Sequence, residues 1–125
     1  MLLPLTHGKT QFIEVVRITD PTRTHTAGGL VGDAVARWEG DQAQQTMTLI
    51  ADLPVGERYR CFTPGWGIRA HSPTNLLLEI AFCFSGNGTR LWGPALSTEQ
   101  QHQPFNSESP AALELLRRFR SCVPA

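Results

Sequence analysis

Three cysteines and one histidine are the residues of this chain best suited to metal or thiol chemistry. The cysteines, Cys61, Cys83 and Cys122, are widely spaced, and His71 lies between the first two. A soft metal favours four sulfur or nitrogen ligands at spacings such as C-x2-C, but position 86, three after Cys83, is glycine. The spacing favours two small buried thiols in a sheet, because an unpaired cysteine packs as a hydrophobe. A metal-binding or thiol-dependent site around Cys61, Cys83 and His71 is the alternative, and no cofactor is predicted.

Two tryptophans suggest a different chemistry, that of a binding surface. Trp66 and Trp92 are flanked by glycine or proline residues, which places them in loops or at strand ends. An aromatic side chain held there is a typical binding anchor, and it is also a frequent lid over a small core. We expect Arg60, Arg69 and Arg90 to line the same edge and to suit an acidic partner surface. The alternative is a solvated sheet face.

Composition excludes several other function classes. Eleven basic and eleven acidic residues cancel, so the chain lacks the basic excess that nucleic-acid binding requires. No apolar run approaches the roughly 20 residues that span a bilayer. Residues 86–88 read G-N-G after a strand without opening a helix, which does not fit a dinucleotide or P-loop motif. An odd cysteine count without an export signal predicts reduced thiols in a cytoplasmic protein.

The secondary structure that must position these residues consists of strands, predicted from alternating residues, and helices, predicted from helical spacing. β-branched and alternating apolar residues predict strands over 11–19, 76–84 and 89–92, and a strand over 57–62 that a turn interrupts and that resumes at 68–71. Residues 30–39 are predicted to form a strand because glycines disfavour a helix there, and a helix is the alternative. Helical spacing predicts helices over 41–53 and from the Ser109-Pro110 pair onward, where serine caps and proline fits the first turn. Residues 21–29 and 93–103 are predicted to be loops.

The segment LLLEIAFCF at 76–84 is the strongest predicted strand. Its alternation places Leu78, Ile80, Phe82 and Phe84 on one face, which belongs in the core. The residues that follow, S-G-N-G, tolerate positive φ and predict a hairpin turn. We therefore predict an α+β fold, with a small antiparallel sheet of about four to five strands packed against two helices. Residues 1–10 are predicted to form an N-terminal tail, and residues 11–125 a single domain.

Short motifs in the second half of the chain resemble an uncharacterised group of small bacterial proteins. The group's pattern is R-C-F/H-x-P, then G-[IL]-R, then an apolar strand ending in C-[FW]-x-C, then an S-P helix. The matching residues here are Arg60-Cys61-Phe62-Thr63-Pro64, Gly67-Ile68-Arg69, Ile80-Ala81-Phe82-Cys83-Phe84 and Ser109-Pro110 with Leu115-Leu116. Gly86 replaces the last cysteine of the group's pattern. If the two cysteines of that pattern bind metal or cycle redox in the group, the resemblance implies that this capacity is reduced here. The resemblance implies a fold layout and no reaction.

These observations predict a non-catalytic binding or protein-interaction module. Immunity and accessory proteins of bacterial cells are modules of this kind. The predicted partner is another protein, and no nucleic acid or membrane is expected as a partner.

Overall fold

The strands of the chain form one antiparallel sheet, and helices pack on it. The computed structural model describes residues 1–26, 28–59 and 62–123. The six strands are β1 (Phe12–Arg17), β2 (Asp33–Glu39), β3 (Trp66–His71), β4 (Leu76–Cys83), β5 (Gly88–Trp92) and β6 (His102–Pro104). The four α-helices are α1 (Pro21–Thr26), α2 (Gly40–Ala51), α3 (Thr98–Gln101) and α4 (Pro110–Arg120), and a 3-10 helix spans Leu5–Lys9.

The strands pair in the order β2-β1-β3-β4-β5-β6, and every neighbouring pair is antiparallel. The predicted α+β class with an antiparallel sheet is confirmed, but the sheet has six strands and not four to five. The additional strand is β6, three residues within the segment predicted to be a loop. Its backbone pairs with β5 over Gly88–Arg90, which adds one edge to the sheet.

Two other predicted elements differ from the structure. Residues 21–29, predicted as a loop, contain α1. Residues 57–59 and 62, predicted as part of a strand, lie outside regular secondary structure. The Tyr59 N–H donates to the Gly86 carbonyl of the β4–β5 turn at 3.1 Å. Among the described residues of this segment, no strand ladder is formed, since a ladder needs a repeated pattern of backbone hydrogen bonds.

The main core lies between the sheet and the helices α2 and α4. Alternation along β4 places Leu78, Ile80 and Phe82 on this face, and all three side chains are fully buried. Phe84 packs against the same core, with its ring 5.5 Å from that of Phe105. The predicted inward face of this strand is therefore confirmed. Burial of each of these side chains contributes roughly 1.5–3 kcal/mol to stability.

Helix α4 follows the predicted capping pattern. The Ser109 side chain accepts a hydrogen bond from the Ala112 N–H at 3.3 Å, and Pro110 occupies the first helical position. On the exposed side of the helix, Arg117 and Arg118 both donate to the Glu114 carboxylate. These hydrogen bonds, first from Arg117 and then from Arg118, lower the pKa of Glu114 from its usual 4.5 to about 2.

The turn between β4 and β5 depends on Asn87, the residue that adopts positive φ there (53°). Its amide donates to the Glu57 carbonyl at 3.0 Å and accepts from the Ser107 N–H at 3.2 Å. The predicted hairpin turn is confirmed, with asparagine supplying the left-handed conformation that this residue tolerates.

The first ten residues are hydrogen-bonded to the rest of the domain. The Leu2 N–H donates to the Gln103 side-chain oxygen at 2.8 Å, and the Gln103 side-chain nitrogen donates to the Leu2 carbonyl at 2.7 Å. The Met1 amino group donates to the Ala51 carbonyl at 2.9 Å. These bonds join the segment predicted as a tail to the end of α2 and to β6.

Candidate functional site

The face of the sheet opposite α2 and α4, called the open face below, carries a row of polar side chains. Strand register places Glu14 of β1, Arg69 of β3, Glu79 of β4 and Trp92 of β5 side by side. These residues alternate with the core residues of the same strands, so they point away from the helices. The row brings together charged and aromatic groups that the chain separates by up to 78 positions.

Residues 28–32, called the strap below, cross the open face and are held there by an ion pair. Arg69 Nε lies 3.0 Å from Glu79 Oε1, and Arg69 Nη2 donates to the Leu30 carbonyl at 3.0 Å. The Leu30 N–H donates to Glu79 Oε2 at 3.4 Å. The ion pair thus satisfies both backbone polar groups of Leu30, which allows the strap to lie against the sheet.

The Leu30 side chain fills a position where the sheet has no side chain of its own. Leu30 is 5% exposed and packs with Val16, Ile18 and Ala81 in a second, smaller core. A Cβ at Gly67 of β3 would lie 2.7 Å from Leu30 Cδ2 and 2.7 Å from the Ile80 carbonyl oxygen. Glycine is therefore required at position 67 for the Leu30 side chain to pack against the sheet.

A cleft of about 490 Å³ opens beside the strap. Its walls come from the start of β4, the end of β5, the connection to α3, and Gly28 of the strap. The side chains that line it include Leu76, Leu77, Glu79, Arg90, Trp92 and Leu96. The volume lies within the range of about 300–1,000 Å³ typical of ligand sites.

One wall of this cleft carries a cationic side chain, Arg90. The Arg90 guanidinium lies 4.9 Å from the centre of the Trp92 ring, a cation–π contact. Arg90 is paired in register with His102 of β6. Burial, followed by the charges of Arg90 and Arg58, lowers the pKa of His102 below its usual 6.5. The lowered pKa disfavours the charged form of His102, so Arg90 is the cationic side chain that lines this wall.

Trp92 also has a donor without an acceptor. Within the described residues, its indole Nε1–H is buried and has no hydrogen-bond partner. Leaving a buried donor unpaired costs about 1–3 kcal/mol, so most buried donors are paired.

The structure brings together some of the predicted binding residues and separates others. Arg69, Arg90 and Trp92 lie on the open face. Trp66 differs from the expectation: it is 5% exposed and stacks on Phe119 at 5.5 Å, on the helix side of the sheet. Alternation along β3 explains this, because Trp66 shares its face with Ile68 and Ala70. Arg60 lies outside the described residues.

Two residues of the alternative thiol site, His71 and Cys83, lie far apart. His71 pairs with Leu76 at one end of the β3–β4 hairpin, and Cys83 pairs with Gly88 at the other. Seven positions of β4 separate Leu76 from Cys83, about 23 Å at roughly 3.3 Å per residue. His71 Nε2 contacts Glu14 Oε1 at 2.5 Å. Cys61 lies outside the described residues.

Two further contacts show how Cys83 is engaged. The Thr63 N–H donates to its sulfur at 3.4 Å, and Ser85 Oγ lies 3.5 Å away. Glu79 shares the open face with Cys83, but its carboxylate is bonded to Arg69 and the strap. Over residues 1–26, 28–59 and 62–123, no group of three or more His, Cys, Asp or Glu side chains is placed to hold a metal ion.

The sequence predicted neither the strap nor the cleft wall that follows β5, in residues 93–101. The strap was within segments predicted as a loop and a strand start, and that wall was within the predicted loop 93–103. The available signal was the glycine pair at 28–29: a Cβ at Gly29 would lie 2.6 Å from Glu79 Oε2. This close approach of Gly29 to Glu79 joins residues about 50 positions apart, and a local sequence pattern does not encode such a contact.

Comparison with known proteins gives no relative from which a function could be transferred. No family model matches the chain, and no curated protein or solved structure matches it either. Among the described helices, none combines the length and apolar character needed to cross a bilayer. The function must therefore be argued from the open face itself.

Proposed function

We propose that this chain is a non-catalytic binding module that recognises another protein through the cleft on its open face. The observation that supports this proposal is the stacked pair of Arg90 and Trp92 in the cleft wall. Trp and Arg are the residues most enriched at the energetic centres of protein interfaces. Leu76, which is 44% exposed, adds apolar surface at the same cleft.

The engagement of the cleft carboxylate supports binding over catalysis. A general base needs an oxygen within reach of a substrate proton. Glu79 uses Oε1 to accept from Arg69 and Oε2 to accept from the Leu30 N–H. Both oxygens hold the strap, so this carboxylate has a structural role.

The proposal includes a place in the bacterial cytoplasm, as an immunity or accessory protein of the small bacterial group whose motifs the chain resembles. The odd count of three cysteines in the sequence supports a reducing compartment. The proposed partner is a protein, and the electrically balanced composition supports neither nucleic acid nor membrane as its alternative.

Affinity capture followed by reconstitution tests this function. The purified chain is used to capture proteins from a bacterial lysate, and each candidate is then purified and titrated against the chain by calorimetry. We expect Trp92→Ala and Arg90→Gln each to weaken that purified complex at least about tenfold, as centres of interfaces do. Arg37→Gln is the matched control, because Arg37 also stacks on an aromatic ring of the open face, that of Phe12.

The control separates a cleft effect from a general loss of surface arginine. Arg37 lies on β2, the strand at the opposite edge of the sheet from the cleft. An affinity that is unchanged in Trp92→Ala, or equally reduced in Arg37→Gln, would contradict the assignment of the binding surface. A captured protein that fails to bind after purification would not support the proposal.

A further inference from the structure

The dimensions of the open-face cleft limit what it receives. Its volume of about 490 Å³ is enclosed by four chain segments and holds a few side chains. A docked helix needs an extended groove that presents several successive anchor positions. The cleft therefore fits a short, extended segment of a partner chain.

One part of the cleft is aliphatic. Leu76 and Leu77 at the start of β4 face Leu96 and Pro94 from the β5–α3 connection. β5 ends at Trp92, so its ladder with β4 begins only at Glu79. This leaves the first residues of β4 as cleft wall. An aliphatic side chain of the partner suits this part of the cleft.

The other part carries a cationic side chain, Arg90. Its guanidinium lies 4.9 Å from the centre of the Trp92 ring. The lining carboxylate, Glu79, is paired with Arg69 at 3.0 Å. A ligand carboxylate beside Arg90 would accept a charge-assisted hydrogen bond from the guanidinium, which is stronger than a neutral one.

We infer that the open-face cleft takes an extended acidic peptide segment in which a carboxylate side chain is flanked by aliphatic residues. The carboxylate lies against Arg90 and the Trp92 wall, and an aliphatic neighbour packs on Leu76 and Leu77. This inference rests on the proposed binding function and adds the chemistry of the partner segment.

Two synthetic peptides test the inference directly. The probes are acetyl-Leu-Glu-Leu-amide and acetyl-Leu-Gln-Leu-amide, which differ in charge and have nearly the same shape. Each is titrated into the ¹⁵N-labelled full chain, and the indole N–H resonance of Trp92 is followed after assignment with Trp92→Phe. We expect the acidic probe to shift this resonance and the neutral probe to bind about tenfold more weakly.

Variants identify the group that recognises the carboxylate. Arg90→Gln should reduce the affinity of the acidic probe to that of the neutral probe, whereas Arg37→Gln should leave both affinities unchanged. Added salt should weaken the acidic probe only. Equal affinities for the two probes, or no shift of the Trp92 resonance at millimolar concentrations of the acidic probe, would overturn the inference.

The outcomes separate this inference from the proposed function. If a purified partner protein requires Trp92 while the probes do not discriminate charge, the binding module stands and the acidic-segment chemistry is wrong. If the acidic probe binds through Arg90 while no purified protein depends on Trp92, the cleft chemistry stands and the protein-binding function is wrong.

Discussion

Replacement of Gly67 by alanine tests whether Leu30 is seated on the open face. The new Cβ would lie 2.7 and 2.8 Å from the two Leu30 methyl carbons and 2.7 Å from the Ile80 carbonyl oxygen. The carbonyl belongs to β4 and is fixed by the sheet, so Leu30 must move. Exposing a buried leucine costs about 1.5–3 kcal/mol, and overpacking costs roughly 1–3 kcal/mol. We expect a loss of about 2–4 kcal/mol, a large share of a typical domain's stability.

Urea unfolding followed by circular dichroism and tryptophan fluorescence measures this loss. Gly65→Ala is the matched control, since Gly65 has no neighbour within 4 Å of an added Cβ. We expect that control to change stability by less than about 1 kcal/mol, in either direction. Leu30→Ala combined with Gly67→Ala should cost less than the sum of the two single changes, because they affect the same contact. Equal stabilities for Gly67→Ala and Gly65→Ala would refute the placement of the strap.

Three further predictions concern other parts of the fold. Asn87→Ala should cost about 2–4 kcal/mol in urea unfolding and Asn87→Gly about 1 kcal/mol less, because only glycine keeps the positive φ; equal costs would contradict this. Ser109→Ala should cost about 1 kcal/mol while Ser109→Thr keeps most of the cap, and a threonine variant as unstable as alanine would argue against capping. Glu114 should titrate near pH 2 by ¹³C NMR. Because folding lowers this pKa, the stabilisation is present above the usual 4.5 and is lost as the pH falls towards 2; Arg117→Gln should raise the midpoint, and an unchanged midpoint would count against the pairing.

The elements with a clear period could be predicted from the sequence. Alternation along 76–84 fixed both the strand and its inward face, since a shift by one residue would expose every apolar side chain. The Ser109-Pro110 pair gave the start of α4 because its capping chemistry is local. Prediction failed where structure depends on distant partners. Strand β6 is three residues long and shows no period, and its pairing requires β5.

The candidate site was predicted in part. Arg69, Arg90 and Trp92, which were expected along one edge, lie on the same face of the sheet, and their role in binding stays a prediction. Trp66 was expected in a loop or at a strand end because glycines flank it; it is the first residue of β3, and its ring is buried. The strap could not be predicted, since Leu30 and Glu79 are brought together only when the whole sheet has formed.

The reciprocal hydrogen bonds between Leu2 and Gln103 span 101 positions of the chain and have a consequence for how the protein forms in the cell. During synthesis, Leu2 leaves the ribosome long before Gln103 is made. The far edge of the sheet therefore cannot close before residue 103 has been synthesised, and contacts between such distant residues slow folding. Until then, nascent chains expose β5 as an unpaired edge, so we expect chaperone dependence to rise when translation slows before position 103.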